Sequence, residues 1–285
     1  MISATRYRLT AEINRQVKLG NEIARTQVEI STGKRILAPS DDPTGAALVS
    51  ELARTQAEEA TWLRNLGTAR TLSDRADTAL TSVANNLDRA NELLISAASG
   101  TLSAENRATI AAELKAIAED IASLADTRDA LGGELFRTGS PLEIPVIAGG
   151  TIVPVASRAE VFGGVPASGG PTDIVTILNN AAAAIVDPDP AARKAGTDTA
   201  LTDLPIAIDH ITSARGELGA RANRIERLTE QLETSAIELE DQRGEIEGVD
   251  LTEAIAKLQA KQVSLQAAQM VLAQTGKTSL FDLIR

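Results

Sequence analysis

The chain has 285 residues, a formal net charge of −11, no cysteine, and only one Trp, one Tyr and three Phe. The missing cysteines exclude disulfides, thiolate metal sites and cysteine nucleophiles, and the acidic balance argues against a nucleic-acid partner, which needs a basic face. No window approaches the ~20 apolar residues of a membrane span, and scarce aromatics among abundant Ala and Leu favour slim helices packed side by side over a broad core.

Residues 3–32 read as a first helix. Ile2, Leu9, Gln16, Ile23, Ile30 and Leu37 fall every seventh residue, the beat of a helix that lies along another helix. The opening Met1–Arg8 carries charge but leads into no apolar stretch, so it does not read as a secretory signal. Pro39-Ser40-Asp41-Asp42-Pro43 breaks the pattern, with Asp42 suited to cap and Pro43 to start the next helix. From there to about Ala98 two heptad rows run together: Leu66, Ser73, Leu80, Leu87 and Leu94, beside Trp62, Ala69, Ala76, Val83, Ala90 and Ala97. Such a helix spans roughly 80 Å at ~1.5 Å per residue, the length of a rod.

Gly100 ends it. Ser103 is placed to cap a third helix with Glu105 in its first turn; Ile110, Ile117, Leu124 and Leu131 form its row, and Gly132-Gly133 is expected to stop it. Residues 138–172 hold seven Gly and five Pro, which excludes a long helix. There, 143–147 and 151–155 around Ala148-Gly149-Gly150 read as one β-hairpin with a three-residue turn, the only β-rich patch, with prolines confining it to edge-type pairing. A short helix is expected over 173–186. Asp189-Pro190 opens a long one with the row Leu204, Ile211, Leu218, Ile225, Leu232, Leu239 and Ile246, kinked at its start by Pro205. Asp250 through Glu253 resembles a capping box. A last helix then carries Leu251, Leu258, Leu265 and Leu272 seven apart, and the five-residue step from Ile246 to Leu251 marks a hinge.

The two terminal segments thus share one apolar repeat while neither can bury it alone. Residues 1–37 hold seven Lys/Arg against three Asp/Glu and residues 249–285 four against three, which leaves the middle at −16. An acidic body with neutral-to-basic ends fits ends that pack into an assembly. The fold class expected is mainly α: a long antiparallel helical bundle or coiled-coil rod, terminal helices meeting at one end, with a small β-rich insert.

Chemistry is hard to find. His210 lacks a nucleophile and an orienting partner. Gly33-Lys34-Arg35 lacks the upstream glycine and following Ser/Thr of a phosphate loop. Asp187 and Asp189 lack the alternating ligands of a calcium loop and suit helix capping. Glu238, Glu240, Asp241 and Glu245 read as a solvated helical face. No catalytic, metal or cofactor-binding residue is expected, and no cofactor.

Ser31-Thr32-Gly33-Lys34-Arg35 followed by Pro39-Ser40-Asp41-Asp42-Pro43 resembles the signature of the bacterial flagellin family. Gly216 through Glu226, and Leu265 through Leu283, resemble its returning rod and its ending. The resemblance spans about 1–135 and 205–285. It implies a non-enzymatic structural subunit of the flagellum that joins hook to filament by stacking its terminal helices into an α-helical tube. The alternative is the filament subunit itself, and a remote one is an unrelated helical adaptor. The implied partners are copies of the chain, a hook-side hook-associated protein, filament flagellin and an export chaperone on the C-terminal helix, with no nucleic acid and no membrane; the implied location is extracellular, reached through the flagellar export channel. The expected division is 1–43, assembly helix and turn; 44–137, outgoing rod; 138–188, β-rich outer insert; 189–248, returning rod; 249–285, assembly helix. The self-assembly residues would be Ile2, Leu9, Ile13, Ile23, Ile30, Leu251, Ile255, Leu258, Leu265, Leu272, Leu280 and Phe281, with the motif turn at Ser31–Arg35 and Pro39–Pro43.

Overall fold

The structure, a computed structural model, describes residues 2–99 and 102–281; the side chains of 2–6, 8, 9 and 275–281 lie outside that description, as do those of the expected assembly residues Ile2, Leu9, Leu280 and Phe281. The chain is mainly α. Its elements run α1 (Ile2–Thr32), α2 (Pro43–Ala98), α3 (Ala104–Ala125), β1 (Ile144–Ile147), β2 (Gly150–Ile152), α4 (Arg158–Phe162), β3 (Val165–Ala167), β4 (Gly170–Thr172), α5 (Ile174–Ile185), α6 (Pro190–Glu247) and α7 (Leu251–Phe281). Two compact units result, one of residues 1–57 with 236–285 and the other of 58–235, the division falling inside α2 and inside α6.

The 58–235 unit holds two clusters of buried apolar residues, one large and one small. Leu66, Ser73, Leu80, Leu87 and Leu94 of α2 are all buried, as are Leu204, Ile211, Leu218, Ile225 and Leu232 of α6. The two helices run antiparallel, with Arg215 at 3.5 Å from Asp77 and Ser235 Oγ donating to Glu59 Oε1 at 2.9 Å. Ser103 caps α3 through the Asn106 amide with Glu105 in the first turn, and Asp173 caps α5 through the Thr176 amide. Each cap satisfies an orphan helix donor and is worth about 1 kcal/mol. Pro205 sits inside α6 without ending it.

Three local expectations need correction. α3 ends at Ala125, with Asp126 as its C-cap. Residues 126–134 instead form a tight loop, and Leu131 is 96 % exposed rather than part of the row. The first hairpin turns on Ala148 and Gly149 alone, because Gly150 already pairs with Ile147; a bulge follows between Ile147 and Pro145. A second antiparallel hairpin, β3–β4, follows it. The region expected to be an outer insert also feeds the core: Ile174, Ile177, Leu178, Ala181, Ala182 and Ile185 of α5 are buried, and α5 packs on α3. The β1–β2 hairpin builds the smaller cluster, where Ile144, Val146 and Ile152 meet Leu66, Ala69, Ile225 and Leu232.

Candidate assembly surface

The 1–57/236–285 unit is built on a different plan. α1 and α7 pack together and run antiparallel, since Lys261 Nζ reaches Glu22 Oε2 at 3.5 Å and Thr26 Oγ1 at 3.4 Å, while Lys34 pairs with Gly248 at the other end. Of the expected seam, Ile23, Ile30, Leu258, Leu265 and Leu272 are half-buried, which is what a single neighbouring helix provides. Ile13, Leu251 and Ile255 remain exposed, at 46, 49 and 44 %. Within this unit Ala254 is the one apolar core residue among those described.

Exposure of apolar side chains is concentrated here. Of the sixteen large apolar residues exposed among those described, twelve belong to this unit. On α1, Ile13, Val17 and Val28 recur at helical spacing on a face turned away from the Gln16–Ile23–Ile30 seam. On α7, Ile255, Val263, Met270 and Val271 point outward while Leu258, Leu265 and Leu272 point toward the seam. α7 therefore carries apolar residues on every side, the composition of a helix that is buried all round. Val17, Val28, Val263, Met270 and Val271 were missed because a heptad count follows one row; a helical wheel counting all apolar positions would have found them.

The motif turn has a definite structural task. Gly33 adopts φ +70°, open to glycine at little cost, and its carbonyl accepts from the Val249 amide at 3.0 Å. The Arg35 amide donates to the Glu247 carbonyl at 2.6 Å, completing a short antiparallel bridge between the α1–α2 and α6–α7 connections. Arg35 Nη2 also donates to the Ile246 carbonyl at 3.0 Å and lies 3.4 Å from Asp42 Oδ2. Lys34 Nζ and Arg243 Nε converge on Glu247 Oε1 at 3.0 and 2.9 Å. Gly248 is equally constrained, since a Cβ there would stand 2.3 Å from the Gly244 carbonyl oxygen.

Both aspartates of the motif are spent locally. Asp41 Oδ2 accepts from the amides of Ala38 at 3.0 Å and Leu37 at 3.1 Å, and Asp41 Oδ1 meets Arg25 at 2.8 Å. Asp42 Oδ1 accepts from the Gly45 amide at 2.9 Å, capping α2. Ser31 and Thr32 hydroxyls donate to the Val28 carbonyl, closing the last turn of α1. The Ala38 amide, then Leu37 and Arg25, hold the Asp41 carboxyl below its ordinary value, and the Gly45 amide with Arg35 does the same for Asp42. For Glu247 burial pushes upward, but the hydrogen bonds from Lys34 and Arg243 outweigh it and the net shift is downward. Polar bonds, not a core, fix the angle between the paired connections. Lys34, Arg35, Asp41 and Asp42 could be read from the sequence as a motif, whereas Arg25, Arg243, Glu247 and Gly248 had no motif to announce them.

Other candidates resolve into structure. His210 Nε2 lies 3.1 Å from the Glu160 carbonyl oxygen. Asp187 accepts from the Asp189 amide, and Asp189 from Ala191 and Ala192, capping α6. Glu238, Glu240, Asp241 and Glu245 are exposed on α6. Among the described residues no group of acidic or histidine side chains is arranged to hold a metal, and no helix is long and apolar enough to cross a membrane.

Comparison with known proteins bears on both ends of the chain. Residues 8–138 match the bacterial flagellin N-terminal helical region and residues 201–284 the bacterial flagellin C-terminal helical region. Flagellar hook-associated protein 3 of Escherichia coli is 25 % identical over 289 residues, covering 90 % of each chain. The flagellar filament 33 kDa core protein of Treponema phagedenis is 28 % identical over 295 residues, covering 95 % of this chain and 96 % of its own. Among solved structures, a putative flagellar hook-associated protein from Vibrio parahaemolyticus superposes with a TM-score of 0.65 at 20 % identity, covering 73 % of this chain and all of that one.

Proposed function

The chain belongs to the bacterial flagellin family, and from that premise we propose that it is a structural subunit of the flagellum seated between hook and filament. The observation that carries the reading is the unfinished burial of the α1–α7 pair. Val17, Val28, Val263 and Met270 are 57, 45, 64 and 67 % exposed, and a helix apolar on every side needs neighbours on every side. Copies of the same chain, side by side, supply that cover and form an α-helical tube with residues 1–43 and 249–285 as its wall. The clasp at Gly33–Asp42 and Glu247–Val249 would hold each pair of terminal helices at the angle the tube requires.

The full-length likeness to hook-associated protein 3 supports the junction position. Its flanking partners would be a hook-side hook-associated protein and filament flagellin. Export through the flagellar channel would leave α7 exposed before assembly, so an export chaperone covering its apolar faces belongs to the same reading. The second reading, a filament subunit, is favoured by the comparably long match to the Treponema filament protein. Immunogold labelling of intact flagella decides between them: a single focus at the distal end of the hook is expected, and label along the filament would establish the second reading instead.

A further inference from the structure

The loop after α3 presents one leucine to solvent and spends many hydrogen bonds to do so. Leu131 is 96 % exposed. Asp129 Oδ1 accepts from the amides of Leu131 and Gly133, both at 2.8 Å. The Asp129 amide donates to the Gly133 carbonyl at 2.8 Å, and Arg128 Nη1 to the Gly132 carbonyl at 2.8 Å. Residues Arg128 and Glu134 pair across the base of the loop. An exposed leucine on a floppy loop needs no explanation. One held rigidly at a loop tip has had its ordering cost met in advance, the condition under which an apolar anchor adds most to a contact.

The opposite end of α3 carries a complementary feature. A cavity of about 340 Å³ is lined there by Ala98, Leu102 and Ile185, by Arg107 and Arg193, and by Lys194 and Asp198, which pair with each other at 2.7 Å. Each of these arginines donates to one backbone carbonyl, Leu102 and Asp187 respectively, both at 2.7 Å. Neither meets a carboxylate among the described residues. In the leucine loop, Asp129 and Glu134 in turn meet only neutral donors. The leucine tip with its unpaired acids and the hollow with two arginines that meet no carboxylate stand at the two ends of a 22-residue helix, roughly 33 Å apart, so neither can serve the other within one molecule.

We propose that Leu131 docks into the Ala98–Leu102–Ile185 cavity of a second copy of the chain, with Asp129 and Glu134 facing Arg107 and Arg193. The contact is heterologous: tip and hollow differ, so each copy has one of each free, and repetition closes a ring or continues a helix. This rests on the reading of the chain as a subunit of a repeating assembly. It adds a second interface, separate from the terminal helices.

The absence of cysteine makes the test clean. Leu131→Cys and Ala98→Cys variants are co-expressed, flagella are isolated, and the thiols are oxidised with copper phenanthroline. A disulfide-linked dimer joining position 131 to position 98 is expected only when both variants are present. Incorporated protein that gives no such dimer, or dimers from Leu131→Cys alone, overturns the proposal. A chain absent from flagella overturns the assembly reading itself, a different failure. In a second measurement, Leu131→Ser weakens self-association of the purified chain by roughly tenfold or more, as loss of one buried leucine requires. Unchanged association would count equally against the contact.

Discussion

Val263→Asp and Met270→Asp separate the stability of the single chain from the stability of the assembly. Both side chains are already about two-thirds in water, at 64 and 67 % exposure. A polar replacement therefore removes little from the isolated molecule: surface substitutions of this kind stay within about 0.5 kcal/mol, or about 2–3 °C in Tm for a unit of this size. In the tube proposed above the same positions would be covered. The lost apolar burial is worth about 1–2 kcal/mol, and a carboxylate enclosed without a partner costs several kcal/mol more. Together these come to about 5 kcal/mol per contact, more than a thousandfold in subunit addition. Ile211→Ala is the control, because Ile211 is fully buried in α6; it should cost 2–5 kcal/mol in the free chain, by the usual range of about that size for core truncation. The assays are thermal melting by circular dichroism and quantitation of the subunit in purified flagella. Normal incorporation of both acidic variants would refute the reasoning, and so would a fall in Tm comparable to that of Ile211→Ala.

The remaining predictions concern the clasp and the helix ends. Gly248→Ala, which sets a Cβ against the Gly244 carbonyl, should break the Lys34–Gly248 bridge, seen as faster hydrogen exchange at the Arg35 and Val249 amides with α2 protection unchanged. Asp41, Asp42 and Glu247 all have lowered folded-state values, so their contribution is complete above their ordinary values of 3.8 and 4.5 and is lost as pH falls through the lower folded ones. The clasp amides should thus exchange at the neutral-pH opening level down to about pH 5, and open more readily below about pH 4; opening that instead sets in between pH 5 and 7 would contradict this. In the free chain, amides of residues 10–30 should show much weaker protection than those of residues 66–94, since a helix pair with one shared seam is marginal in water. Equal protection would mean the terminal pair is stable without neighbours.

Helix existence and starts were largely legible in the sequence because their signals are local. Asp42-Pro43, Ser103 and Asp189-Pro190 each open a helix as read, whereas the cap at Asp173 emerged only in the structure. The end of α3 was not legible: Leu131 keeps the heptad interval, but Asp129 offers the backbone amides of Leu131 and Gly133 a competing acceptor, and the loop wins over the helix. The second hairpin escaped notice because Val165-Pro-Ala167 and Gly170-Pro-Thr172 carry little strand propensity; Asp203, accepting from the Ser168 amide at 2.7 Å and hydroxyl at 2.6 Å, holds its turn from outside. The motif turn could be recognised as a pattern, whereas its partners Glu247 and Gly248 lie some two hundred residues away and became visible only in space.

One apolar row also has two fates along a single helix. In α6, Leu204 through Leu232 are buried, while Leu239 and Ile246, in the same register, are only half-covered. Periodicity states that a face seeks cover and is silent on what supplies it. Up to Leu232 the cover is internal, completed by Ile144, Val146 and Ile152 of the first hairpin. Past that point α6 enters a unit whose order comes from Glu247, Arg35, Asp41 and Asp42 rather than from a core. This division of labour suits a subunit that must assemble. Apolar surface buried within the monomer no longer drives association, because the hydrophobic gain is proportional to area removed from water at the moment of contact. By fixing the terminal helices with a polar clasp, the chain sets their geometry while leaving Val17, Val28, Val263 and Met270 available to neighbours.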